Sequence, residues 1–457
     1  MYIQTATIEN IGPIDRLTME FGRNPAGWHV LLGDNGAGKS SVLRAIALGL
    51  IGPRQAPALR QDWSRWLKCG QDKARVILDL LPESDREKRD FITNDPKKDS
   101  RPRVEFDLKR SEDLVEIQSS ENPMRGVVWG GGSSGFKGAD SGPHRRTKDS
   151  GAWFSASYGP FRRFTGGSSV YENSSSSLQS IGSLQAHLSL FGEDIALTET
   201  LSWLKDLHYR KLSENGKRHG ARALYDDVIE FINRSKLLPH GVHIREYSPD
   251  GLVVLDGEKQ ELRVDNLSDG YRSMLSMVLE LVRQLVLCFG QELVFPPNRG
   301  EEENSSIELS GVVLIDEIDA HLHPTWQVRV GDWFRRIFPK MQFIVSTHSP
   351  FICHAAVEGT IWKLATPGTN EFEGQVTGIA EQRLVYGNIL EALGTDLFGV
   401  DVTRSQDSTN QLARLAKLNI KEIRKGLSDK ERKERDKLRA TLPTDSSAGS
   451  GDRSEEQ

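Results

Sequence analysis

No stretch of the 457 residues comes near the roughly 18 consecutive apolar residues that a membrane-spanning helix needs. The opening M-Y-I-Q-T-A-T-I lacks a basic segment leading into an apolar one, so no secretory leader is expected there and a cytoplasmic location is. Cysteine is scarce. Cys69, Cys288 and Cys353 stand far apart without C-x-x-C spacing, the usage of free thiols in a reducing compartment rather than of a disulfide frame or a metal or redox centre. An excess of positive charge is missing too. The 59 Lys and Arg are outnumbered by 64 Asp and Glu, which removes the bulk electrostatic case for nucleic-acid binding and leaves only local basic patches. There are no internal repeats, and no heptad run is long enough for an extended coiled coil. What remains is a globular composition, 37% hydrophobic and 27% charged, with enough chain for one large domain or two to three ordinary ones.

Against this plain background, 33–40 reads G-D-N-G-A-G-K-S: Gly33, Asp34, Asn35, Gly36, Ala37, Gly38, Lys39 and Ser40, with a second hydroxyl at Ser41. This is the glycine-rich phosphate-binding pattern. The run H-V-L-L at 29–32 suits a buried strand before it, and 41–50 carries apolar residues at helical spacing after it. A strand, a glycine turn and a helix in succession aim backbone N–H groups at one point, and the helix N-terminus adds about half a positive charge there. Lys39 is expected to reach the β- and γ-phosphates, and the Ser40 hydroxyl to hold Mg²⁺.

A second half-site lies far along the chain. The apolar run V-V-L-I at 312–315 ends in Asp316, placed to bind Mg²⁺, and Glu317, placed to polarise the water that attacks the γ-phosphate. His321 and His323 form an H-x-H pair, either metal ligands or, with Asp319 and Pro324, part of a tight loop against a partner subunit. The run 345–350, V-S-T-H-S-P, puts His348 at the C-terminal end of a strand, where nucleotides bind in open α/β sheets; it is the expected γ-phosphate sensor. The run 266–273, N-L-S-D-G-Y-R-S, opens a long helix over 268–288. Ser268 suits the N-cap and Gly270 leaves N–H groups exposed, so this start is an anion site or an ordinary capped helix.

Elsewhere, 3–9, 17–21, 75–81, 103–108 and 252–255 read as strands, and 191–233 as helical. Residues 311–315 and 342–346 read as buried parallel strands separated by a helix over about 325–338. Residues 82–102, 126–141, 174–177 and 301–306 read as loops, and 448–457 as disordered. Ser428-Asp429-Lys430-Glu431 has capping-box spacing. Across 421–439 a solvated helix face competes with a docking or nucleic-acid surface.

Together G-D-N-G-A-G-K-S, L-S-D-G-Y, L-I-D-E-I-D-A-H-L-H-P and S-T-H-S-P resemble the ABC-type ATPase heads of the SMC/RecF class, over about 1–60 and 260–352. The resemblance implies an α/β P-loop ATPase head, a mixed or parallel sheet with flanking helices, a helical insertion and a helical C-terminal tail. It divides the chain into 1–125 and 261–383 (the two parts of the head), 126–260 (insertion), 384–443 (partner-binding tail) and 444–457 (disordered). It also implies ATP and Mg²⁺ as cofactors, and Ser268, Asp269 and Gly270 as a signature that completes the site of an opposite copy in a head-to-head homodimer or higher oligomer. Asp269 departs from the L-S-G-G-Q of transporters, and Gln71 is only a weak candidate for the family's Q-loop glutamine. The missing coiled coil separates the chain from structural SMC proteins. The absence of a D-x-D cluster after His348 separates it from OLD-type nucleases, so no nuclease centre is expected. Finally, 157–163, S-Y-G-P-F-R-R, resembles an aromatic Y-G-P-x-R segment of the PtuA-like ATPases of Septu and retron defence systems, and 384–442 their helical tail. For 158–163 an aromatic turn at the edge of the core remains the plain alternative. That resemblance implies an anti-phage ATPase governing a separate HNH nuclease, with nucleic acid reached through the complex. The alternative is a RecF-like repair ATPase acting directly on DNA.

Overall fold

The computed structural model describes residues 1–52, 55–83, 102–111, 114–119, 153–162, 182–192, 198–213, 221–238, 241–248, 251–296, 306–369, 371–387 and 406–441. The stretches 126–141, 174–177, 397–399 and 448–457, with most of 82–102 and 301–306, lie outside the described residues. The chain divides into two compact units, Met1–Tyr386 and Gly387–Gln457.

In the first unit β1 (Tyr2–Ile11) and β2 (Ile14–Glu20) form a hairpin, and β3 (Gly27–Leu32) leads into α1 (Lys39–Ile51). β4 (Lys73–Leu81), β5 (Arg103–Ser111) and β6 (Leu114–Ser119) complete an antiparallel sheet in the order β2-β1-β4-β5-β6. Period-two patterning builds it. Ala74, Val76, Leu78 and Leu80 of β4 and Val104, Phe106 and Leu108 of β5 are buried in one cluster with α1. A Cβ at Gly49 would lie 2.4 Å from Leu78 Cδ1, so helix and sheet meet where the side chain is absent. Residues of the other parity carry cross-strand ion pairs, Arg75 with Asp107 at 2.9 Å and Arg103 with Asp79 at 2.6 Å, each directly opposite in register.

β7 (Ser155–Tyr158), α2 (Thr198–Ser213) and α3 (Ala221–Ser235) come next, then a small antiparallel sheet of β8 (His243–Ser248), β9 (Gly251–Leu255) and β10 (Glu261–Arg263). The long helix is α4 (Asp269–Phe289). After it run β11 (Gly311–Ile315), α5 (Pro324–Ile337), β12 (Met341–Thr347), β13 (Ile361–Lys363), β14 (Gly374–Val376) and α6 (Gly378–Tyr386). The central sheet has the order β14-β13-β3-β12-β11-β7 and is parallel except at β14.

Every residue of β11 and β12 is buried, because both faces of the parallel sheet are covered. Leu31, Val312, Leu314 and Ile344 join the cluster around α1. Trp28 and Phe343, of opposite parity, pack on Phe334 of α5 with ring centroids 5.8 and 5.0 Å apart. One strand is unexpectedly placed. Ser155–Tyr158, inside the stretch read as an insertion, pairs in parallel with β11 and belongs to the central sheet.

The second unit contains α7 (Gln406–Lys425) and α8 (Asp429–Thr441). The capping box forms at Ser428: its N–H donates to Glu431 at 3.1 Å and its Oγ accepts the Glu431 N–H at 3.4 Å. Arg414–Glu434 at 2.9 Å and Lys421–Glu431 at 2.5 Å join the two helices, and no residue of α8 is buried.

Candidate nucleotide site

Strand order explains how distant motifs converge. β12 lies between β3 and β11, with Leu32 opposite Thr347 and Ile315 opposite Val345. The loop after β3, the acids after β11 and the histidine after β12 therefore open on one edge of the sheet, its carboxyl edge.

The glycine loop is tightly wound. Ala37 N–H donates to Asp34 O at 3.2 Å, and Gly38 (φ +96°) stands at the α1 N-cap, where a Cβ would meet Pro13 Cγ at 2.7 Å. Only glycine meets both demands. The first turn of α1 carries neither a side-chain cap nor an acid, so its leading N–H groups are not taken by the helix's own residues. The buried Lys39 ammonium donates to Gly33 O at 2.8 Å, Asp34 O at 3.1 Å and His348 Nε2 at 2.9 Å. His348 is thereby the neutral tautomer with its proton on Nδ1. Burial lowers the pKa of Lys39, with Asp316, Glu317, Asp319 and Asp34 pulling it back up. Burial, and then the Lys39 charge, lowers that of His348.

Across the cleft, Ser346 Oγ donates to the buried Asp316 carboxylate and accepts the Glu317 N–H at 2.8 Å. Asp319 accepts from Thr347 Oγ1 at 2.5 Å. Glu317 has φ +46°, the left-handed region that a side chain adopts only when its neighbours enforce it. Arg162, in the run Y-G-P-F-R, braces this turn in a way the sequence did not display: its guanidinium donates to Asp316 O at 2.8 Å and Glu317 O at 2.9 Å.

No group of three or more His, Cys, Asp and Glu that could cage a metal occurs among the described residues. Carboxylates do gather around the loop lysine, those of Asp316, Glu317, Asp319 and Asp34, and Ser40 brings a hydroxyl to the start of α1. That donor set suits Mg²⁺, which takes one or two protein ligands alongside substrate phosphates. His323 is otherwise engaged: its Nδ1 accepts the Thr325 N–H at 3.3 Å and caps α5, with Pro324 at the first helical position. That engages its Nδ1 within the chain's own loop and helix start.

Ser268 stands at the N-cap of α4, but its side chain makes no capping bond and it is exposed, as is Asp269. Gly270 is needed for a reason different from exposed N–H groups: a Cβ there would lie 2.6 Å from His321 O. The helix start is pressed against the loop that follows Glu317. Gln71 lies in an exposed turn before β4, with its N–H on Lys68 O at 3.0 Å. The strand flanking β11 on its other side is β7, and Tyr158-Gly159-Pro160-Phe161-Arg162 follows from it.

A parallel sheet with a glycine loop, an acidic strand end and a histidine on its carboxyl edge defines a P-loop ATPase. Comparison with known proteins makes the class particular. Residues 29–354 match the family described as "AAA domain, putative AbiEii toxin, Type IV TA system", and the chain belongs to that family. It is similar to the Retron Ec83 probable ATPase of Escherichia coli, 24% identical over 408 residues that cover 78% of this chain and 70% of that one. It is also similar to Septu protein PtuA of Bacillus mycoides (strain KBAB4), 23% identical over 366 residues, 79% of this chain and 40% of that one. The chain thus spans well under half the length of that PtuA. Among solved structures, an SMC head bound to the C-winged helix domain of ScpA aligns at 17% identity with a TM-score of 0.42, covering 82% of this chain and 97% of that one.

Proposed function

We propose that this chain is the ATP-hydrolysing subunit of an anti-phage defence assembly, and that it works as a split site. Gly33 to Ser41 hold the triphosphate and Ser40 and Asp316 share the Mg²⁺. Glu317 polarises the attacking water and His348 reads the γ-phosphate. Ser268 and Gly270 of one copy close over the nucleotide of another, so two heads sandwich two nucleotides. ATP then shifts the population toward the closed pair and hydrolysis releases it. A separate HNH nuclease, docked on the helical tail, is the output.

One observation carries the reading: Lys39, the residue a triphosphate would engage, touches His348 and feels the carboxylates of Asp34, Asp316, Glu317 and Asp319. Binding, sensing and water-activating groups are within reach of one another. The relatives' names support the defence setting, and the exposed Ser268 supports a signature that faces outward. Two experiments test it. Glu317→Gln with ATP·Mg²⁺ is expected to elute as a closed oligomer by light scattering, and a nuclease encoded beside this chain is expected to co-purify with it. A monomer under all nucleotide conditions would remove the sandwich, and a solitary protein would remove the partner.

A further inference from the structure

We propose that Arg162 is the positioning residue for Glu317, holding the main chain of the acidic strand end and tying it to the helix that opens at Ser268. The inference rests on the reading above, in which Glu317 activates water.

Arg162 is buried, with 2% of its surface exposed, and the charges of Asp316, Asp319 and Glu317 act on it without a hydrogen bond to any of their carboxylates among those observed. Its donors go to neutral oxygens instead. Nη1 reaches Asp316 O at 2.8 Å and Gly159 O at 3.3 Å, and Nη2 reaches Glu317 O at 2.9 Å. Nε reaches Ser273 Oγ on α4 at 3.1 Å. The same helix returns a bond, Ser276 Oγ donating to Arg162 O at 3.2 Å. A charge buried against carbonyls is a costly way to fill space. Its planar fork, however, can fix two successive carbonyls and a third element at once, which an ammonium cannot.

The carbonyls it fixes flank the left-handed φ of Glu317, +46°, whose amide is held from the other side by Ser346. Pinned at both N–H and C=O, the residue has one orientation. α4 touches this segment a second time, where Gly270 abuts His321 O. Whatever the start of α4 contacts is therefore linked mechanically to the carboxylate of its own chain. In a two-headed sandwich that contact is the other copy's nucleotide, so Arg162 would let one site's occupancy set the other site's catalytic geometry.

The test uses the full chain with Arg162→Lys and with Ser273→Ala, which removes one contact and suits a helix. We measure turnover, affinity for a fluorescent ATP analogue, melting temperature, and amide exchange over 316–320. Arg162→Lys is expected to lower kcat about 10- to 100-fold with the nucleotide Kd changed less than about twofold, the pattern of lost orientation. Both variants are expected to speed exchange over 316–320, Ser273→Ala doing so from another element. The proposal is overturned if exchange over 316–320 is unchanged in both, or if kcat falls and Kd rises together with a lowered melting temperature. A wild-type chain that hydrolyses no ATP would sink the ATPase reading instead, and the exchange data would still decide this one.

Discussion

Two histidines should make the fold acid-sensitive well above the carboxylate range. His29, on the strand that feeds the phosphate loop, is buried, and burial pushes its pKa down to about 4. Its ring is saturated as the neutral form, with Nε2 donating to Pro25 O at 2.8 Å and Nδ1 accepting from Thr360 Oγ1 at 2.9 Å. His187 is buried between Ser155 and Ser157 of β7, and burial takes it to about 3. Unfolded, each would titrate near about 6.5. The folded values lie below the unfolded ones, so the unfolded chain binds more protons and stability falls as pH drops from about 6.5 toward about 4 and about 3. At pH 5 each histidine contributes roughly 2 kcal/mol of destabilisation, against about 0.2 kcal/mol at pH 7, from about 1.36 kcal/mol per pKa unit. The pair amounts to about 4 kcal/mol, a large part of a typical folding stability of about 5–15 kcal/mol. Urea denaturation at pH 7, 6 and 5 would read this as a falling midpoint at constant slope. A midpoint flat over that range would refute the buried, neutral assignment of both rings.

Other expectations follow from single contacts. Lys39→Ala removes the ammonium beside the phosphate loop and should abolish binding of a fluorescent ATP analogue while leaving the melting temperature within a few degrees. Gly270→Ala forces a methyl to 2.6 Å from His321 O, and should cost about 1–3 kcal/mol by thermal unfolding and reduce turnover more than affinity. On the same helix, Arg283 pairs with the buried Glu280 at 2.8 Å; Arg283→Met should cost about 3–5 kcal/mol by leaving that carboxylate without a counter-charge, held only by the neutral donors of Thr200 and Gln284, measured by urea titration.

The motifs were legible because their chemistry demands fixed local spacing: glycines where the loop turns, a lysine and hydroxyl at the helix start, acids at the end of an apolar strand. β1, β3, β11 and β12 and the helices α1, α4 and α5 lie where periodicity put them, within one to three residues. What was not legible depends on which strands become neighbours. That Lys39 meets His348 follows from β12 lying between β3 and β11, and 155–158 reads as part of an insertion until it pairs with β11. Arg162 stood in a segment picked out by resemblance, but its contacts were hidden, because its partners at 316 and 317 are main-chain carbonyls that leave no mark on side-chain type. Gly270 was likewise picked out as part of the signature, while its approach to the His321 backbone was not visible. β6, β8 and β10 are short strands with mixed faces, and their alternation is too weak to stand out.

The split site can be tested by mixing two inactive chains. Lys39→Ala keeps its signature and loses its phosphate loop; Ser268→Arg keeps the loop and loses the signature. If each site draws on two copies, mixed pairs hold one intact site and hydrolysis should return to about a quarter of the wild-type rate at equal concentrations. A mixture as inactive as its parts, or full activity of Ser268→Arg by itself, would contradict a site built from two copies.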